Sequence, residues 1–290
     1  MEHLEKPLSG RIGLIAGNGR LPFLFAREAR RRGLSVVCAA HREEAEPGLR
    51  DEVDELTWVR VGQVGRILRL FRARGVTRAV MAGGIGHVRA LTAARPDFGA
   101  VKIIASLRTF RDDALLRAVA RYFEAGGVQI EAPTGWLSEV MAPVGHVAGP
   151  ALGAGQQAEI ALGWEIAGLL GQADVGQTVV VKGGHVLALE AVEGTDEAIR
   201  RGGRLGGKGA AVVKRVKPGQ DARFDLPAVG PRTLEVMDEV GARLLAIEAG
   251  RTLVLDAEAL HERARRLGIT VWGIDAASQP ARAETGTGEA

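Results

Sequence analysis

Short apolar runs that end in glycine turns and pass into amphipathic helices recur through the first half of this chain, and that rhythm limits its fold more than any other feature. Arg11–Ala16 is such a run; it ends at Gly17-Asn18-Gly19 and feeds a helix expected over Pro22–Arg32. Ser35–Ala40 and Glu55–Val61 read as further strands. Gly65–Arg74 reads as an amphipathic helix closing at Gly75, and Ala79–Met81 as a strand entering Gly83-Gly84-Ile85-Gly86. Asp112–Glu124 sets Leu115, Leu116, Val119 and Phe123 on one helical face before Gly126-Gly127, and Val128–Glu131 supplies another strand. Strands separated by helices predict a parallel sheet covered on its faces, as in doubly wound folds. The expectation for residues 1–145 is an α/β, Rossmann-like domain.

After Pro143–Gly155, a glycine- and proline-rich stretch that reads as an interdomain linker, the rhythm changes. A helix is expected over Gln156–Leu170, then a hairpin of Thr178–Lys182 and Val186–Ala191 around Gly183-Gly184. Thr195 reads as the cap of a helix to Arg201, and Ala211–Val216 as a strand. A helix near Arg232–Val240 precedes a second hairpin, Arg243–Leu255, turning at Ala249-Gly250; helix Ala257–Leu267 and strand Ile269–Trp272 follow. Mixed hairpins and helices predict an α+β domain over residues 146–277, with the polar tail 278–290 disordered. A length of 290 residues suits two domains. No run approaches the roughly eighteen apolar residues that span a bilayer. The opening MEHLEKPLSGR lacks a secretory pattern. The lone cysteine, Cys38, leaves no internal disulfide and reads as a buried small hydrophobe. A cytoplasmic protein is expected.

The net charge of +3 is concentrated in arginine clusters at Arg27–Arg32, Arg66–Arg74 and Arg263–Arg266. They lie on amphipathic helices without interleaved aromatics, so solvated faces are expected rather than a nucleic-acid surface. Such faces also suit anionic lipid head groups.

The segment Lys214–Thr233 carries the densest chemistry. At strand spacing Asp221, Arg223 and Asp225 share one face, and Ala222, Phe224 and Leu226 point to a core. Gly230-Pro231 then starts a helix whose N–H groups, beside Arg232 and Thr233, suit a phosphate oxygen. Acids, bases and an anion-binding helix start together are the parts of metal-assisted phosphate chemistry; the same pattern also reads as a solvated charged strand. A second acid group holds Glu190, Glu193 and Asp196. Capping accounts for Asp196 and Glu197 but not for Glu190 and Glu193. If that strand end faces Asp221 and Asp225, four carboxylates could hold Mg²⁺, with Lys208, Lys214 and Lys217 balancing a diphosphate. Asp112-Asp113 is explained by capping unless the pair faces the cleft, where it would reach a metal.

Gly17-Asn18-Gly19 sits where a dinucleotide fold places its phosphate loop, and Gly84 ends a neighbouring strand beside His87. Pro22 replaces the third glycine of the dinucleotide pattern, and the second strand ends without an acid, its His41-Arg42-Glu43 running into a charged loop; both weigh against NAD. His185 reads as an exposed hairpin tip. With no H-x-x-x-H, Cys/His cluster or G-x-S-x-G, neither a zinc site nor a serine hydrolase is expected.

The string K-P-G-Q-D-x-R-F-D-L-P-x-V-G-P-x-T, from Lys217 to Thr233, resembles the signature of the UDP-2,3-diacylglucosamine pyrophosphatase family of lipid A biosynthesis that is unrelated to calcineurin-like metallophosphatases. GNGRLP at Gly17–Pro22, DDALL at Asp112–Leu116 and LEAVEGTDEAIRRGG at Leu189–Gly203 resemble it in the same order. The resemblance implies hydrolysis of UDP-2,3-diacylglucosamine to UMP and 2,3-diacylglucosamine 1-phosphate (lipid X), with Mg²⁺ or Mn²⁺ and the diphosphate in a cleft between domains. It implies Asp225 as the essential carboxylate, as metal ligand or orienting the attacking water, with Asp221 in support. Arg223, Lys214 and Lys217 would then clamp phosphate oxygens, the Gly230–Thr233 helix start would add donors, and the uridine diphosphate end would meet Gly17-Asn18-Gly19. Transient contact with the inner membrane and a homodimer through the second domain complete the expectation. Two readings compete: a nicotinamide-dependent oxidoreductase, indifferent to Asp225, and a sugar-nucleotide sensor that binds without turnover.

Overall fold

From Ile12 onward every residue of strand β1 (Gly10–Ala16) is buried, which is what a strand covered by helices on both faces requires. The computed structural model describes residues 10–85, 96–107, 112–218, 221–224 and 226–277. The chain divides into two units: among the described residues the first runs to Ser138 and also takes in 221–224, and the second holds 139–218 and 226–277.

In the first unit β1 is joined by β2 (Leu34–His41), β3 (Glu55–Val59), β4 (Arg78–Ala82) and β5 (Gln129–Glu131). All pair in parallel, in the order β3-β2-β1-β4-β5. Helices α1 (Leu21–Arg31), α2 (Val64–Ala73), α3 (Phe98–Ser106) and α4 (Asp112–Ala125) connect them. Ile67, Leu68 and Phe71 of α2 and Phe123 of α4 pack with Val37, Ala39 and Ile130 of the sheet. Phe25 of α1 meets Trp136 edge-on at 5.4 Å, and Arg32 and Arg78 lie over the same indole. The chain leaves β1 toward β2 and later returns to β1's other side as β4, so the loops after β1 and β4 lie together at the sheet's carboxyl edge.

The second unit holds β6 (Gly145–Ala148), α5 (Gln156–Gln172), β7 (Thr178–Lys182), β8 (His185–Leu189), α6 (Thr195–Gly206) and β9 (Ala211–Lys214). Beyond β10 (Ala228–Val229) come α7 (Pro231–Glu239), β11 (Leu244–Glu248), β12 (Leu253–Val254), α8 (Ala257–Leu267) and β13 (Thr270–Ile274). One mixed sheet runs β6-β13-β11-β9-β7-β8, with β13, β11 and β9 parallel and the other pairs antiparallel. Alternate side chains feed opposite cores. Val180, Val212, Leu245 and Ile247 join Met237 and Leu260 on one face; Val179, Val181, Val213 and Leu244 join Ile160 and Trp164 on the other. The β7–β8 hairpin stands as expected.

Other expectations are corrected. Arg243–Leu255 is not a hairpin: buried β11 pairs with β9 and β13, whereas β12 joins β10 in a separate parallel pair. Within Pro143–Gly155, β6 forms an edge strand on β13, and Gly149 (φ +79°) is required there because a Cβ would stand 1.9 Å from the Ile269 carbonyl oxygen. Residues 221–224 form a turn rather than a strand. Among the described residues no helix is long and apolar enough to cross a membrane. Cys38 is buried, and desolvation pushes its thiol up to about 12.

Candidate functional site

At the carboxyl edge of the first sheet, the turns after β1 and β4 are zipped together. The Gly17 N–H donates to the Ala82 carbonyl at 2.8 Å and the Asn18 N–H to the Gly84 carbonyl at 2.9 Å. A Cβ on Gly17 would lie 2.3 Å from the Gly84 oxygen, and one on Gly83 (φ +86°) 2.3 Å from the Asn18 oxygen. These glycines therefore serve contact between two loops, and two of the N–H groups expected to cradle phosphate are already used. The start of α1 at Leu21, just beyond Gly19, has no side-chain cap.

Asn18 is held by a residue that inspection of the sequence missed. Its Nδ2 donates to Glu44 Oε2 at 2.8 Å, and Glu44 is buried. A carboxylate accepts only, so it fixes which way the carboxamide faces. The Asn18 Oδ1 is left beside Gly84, 3.0 Å from where a Cβ would be. Glu44 reaches this edge because the chain turns sharply after β2: the N–H groups of Glu44 and Ala45 both donate to the His41 carbonyl, at 3.1 and 2.8 Å. The acid that reaches this edge after the second strand is Glu44, one position beyond His41-Arg42-Glu43. His41 is buried, with its Nδ1 lacking a hydrogen bond among the described residues. Burial lowers its pKa against the opposing pull of Glu43 and Glu44.

The signature turn belongs to the same unit. Asp221 Oδ1 accepts from the Arg223 backbone N–H at 3.1 Å and from its Nε at 2.9 Å, while Oδ2 accepts from a terminal guanidinium nitrogen at 2.8 Å. Such an aspartate-centred turn competes with strand geometry. Arg223 also reaches Glu124 at 2.9 Å and stacks over Phe224, which packs on the first unit's core. The Arg223 guanidinium, opposed by desolvation and helped by Arg117, holds the Asp221 carboxyl below the usual carboxylate range. Asp221 and Arg223 are thus brought together as a pair, whereas Asp225, Gly86, His87 and the side chains of Asp112 and Asp113 lie outside the described residues.

In the second unit the expected site residues engage groups of that same unit. Buried Glu190 accepts the Thr195 hydroxyl at 2.8 Å and the Gln177 N–H at 3.4 Å. Thr195 therefore reaches back to Glu190, and the helix cap falls to Gly194 (φ +84°). Glu193 pairs with Arg201 at 2.6 Å, and Asp196 with Arg232 at 3.3 Å. Lys214 is buried, its Nζ 3.4 Å from the Ala228 carbonyl, and Lys217 meets Asp174 at 3.3 Å. Pro231 opens α7 as expected; the Gly230 N–H donates to Thr233 Oγ1 at 3.4 Å and the Thr233 N–H to the Gly230 carbonyl at 3.0 Å. Among the described residues no three His, Cys, Asp or Glu side chains group so as to hold a metal ion. Asp221, Glu190 and Glu193 direct oxygens at the protein's own donors, so these described carboxylates do not fit a Mg²⁺ site as they stand.

Family models of the LpxI N-terminal domain and the LpxI C-terminal domain match residues 11–140 and 143–272. The UDP-2,3-diacylglucosamine pyrophosphatase LpxI of Caulobacter vibrioides is 34% identical over 281 residues, covering 93% of this chain and 99% of that protein. Among solved structures, the biotin carboxylase domain of a thermophilic 2-oxoglutarate carboxylase aligns with a TM-score of 0.27 and 17% identity over 68% of this chain. The biotin carboxylase subunit of a pyruvate carboxylase aligns with a TM-score of 0.25 and 15% identity over 67%. This chain covers 33% and 42% of those two chains, and likenesses so loose have no bearing on its chemistry.

Proposed function

Because the chain belongs to the LpxI family of UDP-2,3-diacylglucosamine pyrophosphatases, we propose that it hydrolyses UDP-2,3-diacylglucosamine to UMP and 2,3-diacylglucosamine 1-phosphate in lipid A biosynthesis. The observation that carries this reading is the reach of the kinship, which takes in both domains and 99% of the relative's length. In the reaction, the oxygen of water adds to one phosphorus, the bond from that phosphorus to the bridging oxygen breaks, and the water protons pass to the products and solvent.

The protein's part is to bind the diphosphate, orient the water and offset the charge that grows on the bridging oxygen. The uridine end is assigned to the carboxyl edge of the first sheet, at Gly17, Asn18, Gly19 and Gly84, in a Rossmann-like use of the loops where the strand order reverses. Asp225 is assigned as the essential carboxylate on the strength of the signature around it. Arg223, Lys214 and Lys217 are assigned to phosphate oxygens; Arg223 and Lys217 would exchange their present carboxylate partners for the substrate. Asp221 positions Arg223, and Gly230 and Thr233 shape the start of α7. Glu190 and Glu193 hold the entry to α6. Mg²⁺ or Mn²⁺ would come with the substrate, whose diphosphate oxygens bind such ions, and would offset their charge. A cytoplasmic setting with transient contact at the inner membrane suits so amphiphilic a substrate. A homodimer through the second unit is supported by exposed Val186 and Leu189 on edge strand β8.

UMP release from UDP-2,3-diacylglucosamine, with Mg²⁺ and after chelation, tests this in the native protein and in Asp225→Ala. Metal-dependent release that collapses in a folded variant is expected. No release by the native protein would refute hydrolysis and favour a sugar-nucleotide sensor. Equal release by both proteins would remove Asp225 from the centre.

A further inference from the structure

One helix of the first unit wears its apolarity on the outside. α3 turns Gly99, Ala100 and Ile103 inward and leaves Phe98, Val101 and Ile104 exposed by 86%, 52% and 44%. A surface helix of a protein surrounded by water does the reverse. The local structure enforces this orientation. A Cβ on Gly99 would stand 2.6 Å from the Tyr122 hydroxyl and 2.9 Å from the Gly65 nitrogen, so a small residue must face the body. Asp97 then locks the helix start. Its Oδ1 accepts from the Ala100 and Gly65 N–H groups at 3.1 and 3.2 Å, and its Oδ2 from the Arg66 N–H at 2.9 Å. One carboxylate caps α3 and α2 together, and α3 is not free to roll Phe98 inward.

Beside it, α2 buries Ile67, Leu68 and Phe71 and exposes Arg66, Arg69 and Arg72 at intervals of one turn. Lys102 is exposed on α3, and neither helix contains an acidic residue. Protruding apolar side chains flanked by cations match an anionic bilayer surface, where the former enter the acyl boundary and the latter meet phosphates. A pocket for one acyl chain would enclose Phe98 rather than leave it standing in solvent.

We propose that α2 and α3 form a docking surface for anionic lipid bilayers. It deepens the lipid-substrate reading, on which its biological sense rests, by naming the face that meets the membrane. The surface chemistry can be measured without any turnover.

The test is co-sedimentation of the full chain with vesicles of phosphatidylcholine, alone or mixed with phosphatidylglycerol. Native protein is expected to bind the mixed vesicles, to ignore the neutral ones, and to lose binding as salt is raised. Phe98→Ser/Val101→Ser should weaken binding by about tenfold for each large side chain removed. Arg66→Gln/Arg69→Gln/Arg72→Gln should weaken it by about fivefold per charge. UMP release from detergent-dispersed substrate, measured in the same proteins, should not change, which separates failure of docking from failure of the hydrolase reading. The proposal is overturned if native protein ignores anionic vesicles or if both variants bind as it does. A raised KM in detergent with vesicle binding intact would make the face an acyl subsite instead. A dimer that dissociates in Phe98→Ser/Val101→Ser, with vesicle binding unchanged, would make it an interface between copies.

Discussion

Asp97 is the residue whose removal should be most instructive. In Asp97→Ala three N–H groups at two helix starts lose their acceptor. A lost cap costs about 1 kcal/mol; removing a negative charge from each helix N-terminus adds about 0.3–0.5 kcal/mol. The expected cost is therefore about 2–3 kcal/mol, large for a partly exposed side chain. Asp97→Asn keeps one acceptor oxygen for Gly65 and Ala100 but turns an NH₂ group toward the Arg66 N–H, so it should lose roughly half of that. A chain of two units need not unfold in one step. The suitable assay is native-state hydrogen exchange in rising urea, read by mass spectrometry on peptides covering residues 64–73 and 98–106. Both peptides should lose protection together. A cost under about 0.5 kcal/mol, or a loss confined to residues 98–106, would refute the idea that one carboxylate serves both helices.

Two further outcomes follow from the glycine turns and the signature pair. Gly83→Ala should cost about 1–3 kcal/mol and raise KM, since it meets both positive φ and a backbone oxygen 2.3 Å away. Gly75→Ala, at φ +68° in open space, should cost only about 1 kcal/mol in urea unfolding, and equal costs would dismiss the loop-to-loop argument. The Asp221 carboxyl is held below its usual range in the folded state, so the unfolded chain takes up its proton first as pH falls. The contribution of Asp221 is therefore present above about pH 4 and lost as pH drops through the folded value. Native protein should exceed Asp221→Asn by about 1 kcal/mol at neutral pH, discounted for partial exposure, and the gap should close in acid. A difference that ignores pH would remove the ion pair from the account.

The first unit was legible because its signals are local. Helix α2 declares itself through Ile67, Leu68 and Phe71 at helical spacing and Gly75 at its end, and parallel strands between helices leave one class of sheet. What failed was whatever depended on partners distant in the chain. β11 is buried throughout and so carries no alternation, and its neighbours β9 and β13 are contributed by other segments; next to it, Ala249-Gly250 imitates a hairpin tip. The glycines of Gly145–Gly155 signalled flexibility by composition, yet Gly149 is needed for close approach to a carbonyl. Asp221, Arg223 and Asp225 alternate as a strand would, but an aspartate side chain can bond the backbone two residues on, and that local bond took the segment into a turn. The candidate site was legible as a parts list: the glycine loops, Asp221 and Arg223 were all named. Glu44 was not, because its value lies in a turn after β2 that folds it back onto Asn18, and residue type alone does not announce a turn.

The first unit is not a continuous stretch of chain. Its core takes Phe224, and its ion pairs take Asp221 and Arg223, from beyond much of the second unit. On the ribosome, then, the parallel sheet can assemble early yet must wait with its core lacking Phe224 and with Glu124 lacking Arg223 until residue 224 emerges. Gene fragments ending at the first unit's apparent boundary inherit that incompleteness for good.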